Sequence, residues 1–84
     1  MVESDKQVFE SLASKYMDDL YSNAIKLEGG IEKAEILVQQ TYATAYNVFD
    51  QFDKSLDFNE WLTLILMHTF ASLHSLFEES AENR

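Results

Sequence analysis

Cysteine is absent from the 84 residues, so neither a disulfide framework nor a thiolate metal site can form. Proline is absent as well, and glycine occurs only as the adjacent pair Gly29-Gly30, which leaves one clear break in the chain. Arginine occurs only at Arg84, and no lysine or arginine lies between Phe58 and Asn83. Binding DNA or RNA needs cations that neutralise phosphates and release counterions, and this long stretch supplies none. No long apolar run is present: Leu64 to Met67 is the longest, far too short to cross a bilayer. The opening Met1-Val2-Glu3-Ser4-Asp5 is acidic and polar, unlike a secretory signal peptide. These absences fit a soluble domain of a reducing cytoplasm.

What is present is acid, aromatics and a regular apolar rhythm. Fifteen Asp and Glu face six Lys and Arg, a formal net charge of −9 that repels a polyanion at long range. The bland meaning of that charge is a solubilising surface; the sharper one is a basic protein partner or a cation. Aromatic residues make up 13% of the chain, which argues against disorder, and the length allows a single small core over residues 1–84.

The expected fold class is all-α, a small three-helix domain. Ser4 with Gln7 has the form of a capping box, and Phe9, Leu12, Tyr16, Leu20, Ala24 and Leu27 follow helical steps up to the glycine stop. A second helix is expected from Ile31 to Asp50. Ala34, Val38, Thr41, Ala45, Val48 and Phe52 face inward, with Leu37 at the edge of that stripe. Ile36 lies about 200° from Ala34, among Glu32, Gln39 and Gln40, as a candidate exposed apolar group. Asp57 and Glu60 are spaced as an N-cap and its partner opening a third helix. Its stripe is Phe58, Leu62, Ile65, Thr69, Leu73 and Leu76, and Trp61, Leu64, Leu66, Met67 and Phe70 add apolar groups around the circumference. A helix apolar nearly all round is expected to be central, the alternative being a second partner surface. The polar residues Glu78 to Arg84 are expected to fray.

Three kinds of chemistry can be weighed at these positions. A helix–loop–helix calcium site would use Asp53, Ser55 and Glu60, but a loop of about twelve residues with a central glycine is required. Asp53 to Glu60 is only eight residues, without the glycine, so capping explains Asp57 and Glu60 better. His68 and His74 stand about 240° apart on a helix and cannot share an ion; His68 reads as a packed or half-buried residue, and His74 could pair with Glu78. No nucleophile–base set, carboxylate pair or phosphate-cradling glycine loop stands out, so an enzyme is not expected, and neither is a cofactor.

A more specific signal lies in two segments taken together. "AEILVQQTYATAYNVFDQFD" at 34–53, followed by "FNEWLTLILMHTF" at 58–70, resembles region 2 of bacterial RNA polymerase sigma factors, closest to the extracytoplasmic-function type. That family shows a pattern like A-E-D-L-V-Q-E-T on one helix, then F-D, a short turn, and F-x-x-W-L-x-x-I-x-R-N-x-F on the next. The resemblance covers about residues 8–76, since Phe9, Leu12, Tyr16, Leu20, Tyr21 and Ala24 also suit the leading helix. It implies that the first motif docks on the clamp coiled coil of RNA polymerase and that the following turn and helix engage the −10 promoter element. Carried onto this chain, Glu35, Gln39 and Thr41 match the docking motif, and Trp61 and Leu62 match the structural W-L pair of the second motif.

The departures point to a changed role. Ile36 and Gln40 replace the motif's aspartate and glutamate, Met67 and His68 stand where the family has arginine and asparagine, and the basic run that follows is missing. The second helical domain used for the −35 element has no counterpart in these 84 residues. The resemblance therefore implies a domain in transcription initiation or its regulation, acting through RNA polymerase or an anti-sigma factor, with DNA binding weakened or lost. The expected partner face is Glu35, Ile36, Gln39, Gln40 and Thr41. The former promoter-reading face is Asp57, Asn59, Trp61, Met67 and His68. A degenerate calcium-binding helix pair is the alternative.

Overall fold

A computed structural model describes residues 2–53 and 55–82, with side chains described for 6–53 and 55–75. Among the described residues four helices are formed: α1 Val2–Lys15, α2 Met17–Glu28, α3 Ile31–Asn47 and α4 Phe58–Glu82, with one 3-10 turn at Phe49–Gln51. The small all-α class is as expected, but the count of three helices is corrected to four. The expected first helix is interrupted at Tyr16 (φ −110°, ψ 12°), whose N–H donates to the Ala13 carbonyl at 3.2 Å in a tighter turn. No proline or glycine marks the break. The Tyr16 ring stacks on Phe58 of α4 at 6.0 Å, so a contact distant in sequence accompanies the bend. At the other end of the same segment, α1 already begins at Val2, so Ser4 lies within the helix and not at its cap.

The remaining boundaries follow local chemistry. Gly29 ends α2 at φ 78°, a left-handed conformation that side chains disfavour, and its N–H donates to the Ile25 carbonyl at 2.7 Å. The second expected helix stops at Asn47, three residues early, and tightens through Val48 into the 3-10 turn. That tightening places Phe49 and Phe52 against Phe58 and Trp61, with ring centroids 4.9 Å apart for Phe52 and Trp61. Asp57 begins α4 as expected, its Oδ2 accepting the Glu60 N–H at 3.1 Å. The helix continues to Glu82, past the point where fraying was expected; residues 83 and 84 lie outside the described residues.

The core gathers one stripe from each helix. Phe9 and Ala13 come from α1, Leu20 and Ala24 from α2, Ala34, Leu37, Val38 and Ala45 from α3, and Phe58, Leu62 and Leu66 from α4. The alanines at 13, 24, 34 and 45 let the helix backbones approach closely, and each fully buried leucine contributes roughly 1.5–3 kcal/mol. Leu37, expected at a stripe edge, is fully buried, while Val48 and Phe52 are half-buried. The expectation that the third helix is central is overturned. It is α3 that packs most extensively against both α2 and α4. In its place, α4 leaves Leu64, Met67 and Leu73 exposed. No helix among the described residues is long and apolar enough to cross a membrane.

Candidate protein-docking face

Two faces follow from this packing, one on α3 and one on α4. Because α3 is held from two sides, only its remaining arc meets solvent. Glu35, Ile36, Gln39 and Gln40 all lie there, and Ile36 is 57% exposed as its position relative to Ala34 requires. Thr41 does not join them. It is completely buried, and among the described residues its hydroxyl has no hydrogen-bond partner. A threonine at that place in the stripe faces the core whatever motif it matches, so it cannot offer its side chain to a partner. Gln39 also borders an open groove of about 370 Å³ between α2 and α3, lined by Met17, Tyr21, Val38, Tyr42 and Ala43. Burial, then the Glu10 carboxylate, then Tyr46, push the Tyr42 phenol above its ordinary pKa. Sequence reading missed this groove. Its sequence signal is limited to pairs at helical spacing, Met17 with Tyr21 and Val38 with Tyr42, and their meeting across the groove depends on how the helices cross.

The face expected from promoter reading is gathered only in part: Trp61 and His68, seven residues apart, share one side of α4, while Asn59 and Met67 point away from it. Asp57 is occupied as a helix cap. Asn59 is half-buried, and Trp61 is half-buried against Phe49, Phe52 and Phe58 in the aromatic cluster. Met67 and His68 are exposed, but as successive helical residues they point about 100° apart. The exposure of His68 corrects its reading as a packed or half-buried residue. His74 has a neighbour that its spacing did not suggest: its Nε2 lies 3.3 Å from both carboxylate oxygens of Glu28, at the end of α2, and its ring sits 4.3 Å from that of Phe70. The side chain of Glu78 lies outside the described residues.

The corner between α3 and α4 is closed by its own side chains. The Ser55 N–H and Oγ–H both donate to Asp53 Oδ1, at 3.0 and 2.8 Å, forming an aspartate turn. Those two bonds hold the Asp53 carboxyl below its ordinary pKa, the backbone donor contributing most. Among the described residues, no three acidic or histidine side chains are placed to hold one metal ion.

No protein-family model matches the chain. Over 58 residues it is 29% identical to the ECF RNA polymerase sigma factor SigW of Bacillus subtilis (strain 168), an alignment covering 69% of this chain and 31% of that protein. The chain is thus similar, over most of its own length, to less than a third of a sigma factor.

Proposed function

We propose that this chain is a sigma-like helical domain that takes part in transcription initiation or its regulation through protein contacts, with DNA binding weakened or lost. The observation that carries this reading is the 29% identity over 58 residues to a protein named as an RNA polymerase sigma factor. Charge then selects the mode of action. The whole of α4 carries no lysine or arginine, so it has no cationic phosphate contacts to offer and little electrostatic steering toward a polyanion. The surface offered to a partner is Glu35, Ile36, Gln39 and Gln40 on α3, where an isoleucine stands in the place of a charge. The partner is the clamp of RNA polymerase or an anti-sigma factor, the setting is the cytoplasm, and no catalysis is involved.

Capture from the native cell tests the proposal. The tagged chain is expected to retain polymerase or an anti-sigma factor, and Ile36→Asp is expected to weaken that capture by about tenfold without changing the thermal midpoint. Capture unaffected by that change would leave Ile36 as ordinary surface. Sequence-specific micromolar binding of −10 element single-stranded DNA at physiological salt would overturn the protein-contact mode. A clear rise in midpoint with millimolar calcium would revive the metal reading.

A further inference from the structure

A second surface lies on α4, on the side away from the core. Phe58, Leu62, Leu66 and Thr69 carry one side of that helix inward; Leu64, Met67 and Ala71 lie on the opposite side, spaced by three and four residues. Leu64 is 63% exposed, Met67 is 47% exposed and Ala71 is exposed, so they form a strip that no described element covers. No Asp, Glu, Lys or Arg occurs from Trp61 to Phe77. Acids bound the strip instead: Asp57 and Glu60, both exposed, precede it in space, and Glu78 and Glu79 follow it in sequence.

We propose that this strip docks an amphipathic helix of a partner protein, with an apolar seam and lysine or arginine at both ends. The order acid, apolar, acid selects that occupant. A second copy is mismatched, because parallel pairing sets Glu60 against Glu60 and antiparallel pairing sets it against the Glu78 end, each between chains of net charge −9. A nucleic acid finds no cation on this helix. An apolar helix face laid along the strip, with cations meeting Glu60 and Asp57, satisfies both the exposed side chains and the charge. The strip is on a different helix from Ile36, so this inference goes beyond the α3 reading and stands or fails separately from it.

The test titrates the isotope-labelled chain with a synthetic helical peptide that carries leucines at three- and four-residue spacing between terminal lysines. Two controls are used: a scrambled peptide of the same composition, and one with glutamates at the ends. Backbone amide shifts are expected to centre on residues 60–71, with both controls binding about tenfold more weakly. Leu64→Gln combined with Met67→Gln is expected to lose about tenfold in affinity with an unchanged thermal midpoint, while Ile36→Asp leaves the affinity unaltered. Equal binding of the scrambled peptide would overturn the proposal, as would shifts centred on the α2–α3 groove. So would self-association that the double variant abolishes, or the same shifts produced by single-stranded DNA. If the double variant fails to fold, the shift map of the unmodified chain decides alone.

Discussion

The helices α3 and α4 are built from similar apolar stripes but are enclosed to different degrees. α3 is packed on two sides, and what it leaves outside is mainly polar, with Ile31 at its first turn, Ile36 and Ala43 along its length and Tyr46 near its end as the apolar exceptions. α4 is packed on one side, and what it leaves outside includes Leu64 and Met67. A leucine is therefore not a core residue because it is a leucine. Leu66 is fully buried and Leu64 is 63% exposed, two positions apart on the same helix. The difference teaches that apolar content gives the capacity for burial, while the arrangement of neighbours decides which side uses it.

That contrast can be broken most directly at the paired leucines. Leu66→Ala is expected to cost about 2–5 kcal/mol in urea denaturation, from lost burial and the cavity left behind. Leu64→Ala should stay within about 0.5 kcal/mol. Comparable losses at both positions would mean that the outer side of α4 is packed.

The same comparison on α3 turns on Thr41. Its buried hydroxyl lacks a partner among the described residues, so Thr41→Val should raise stability by about 1 kcal/mol. A loss of stability would place a hydrogen bond on that hydroxyl and return the residue to a polar role. Removing the cap that starts α4, in Asp57→Ala, should cost about 1 kcal/mol by the same assay, and an unchanged value would show that packing alone sets that boundary.

The smallest expected effect lies at the corner joining the two helices. Asp53 has a folded pKa below its unfolded value, so its contribution to stability is present above the unfolded pKa and is lost as pH falls through the folded one. Carboxyl resonances followed over an acid titration should show Asp53 protonating at lower pH in the intact chain than in Ser55→Ala. Identical titrations would remove the turn as the cause of the depressed pKa.

Much of this site was legible before the fold. Ile36 was placed outside by its angle from Ala34, and Asp57 was placed as a cap by its spacing to Glu60; both inferences used only one or two turns of helix. The errors and omissions lie where two elements meet. Thr41 was given both to the inward stripe and to the partner face, and the packing of α3 from two sides left room only for the first. His74 was matched to Glu78, whose side chain lies outside the described residues, and the fold adds a neighbour 46 residues away, Glu28. The groove beside Gln39 and the bend at Tyr16 likewise involve side chains from different helices.

The sequence by itself determined that the chain is helical, that it breaks at Gly29 and restarts at Asp57, and that α4 is without cations. Those features rest on backbone freedom, local capping and residue charge, which do not depend on what packs nearby. Only the tertiary structure decided that α3 is the central helix, that Thr41 is withdrawn from the surface, and that Leu64 and Met67 are left uncovered. Each depends on helices crossing at a particular place, and burial is settled by the atoms that arrive there.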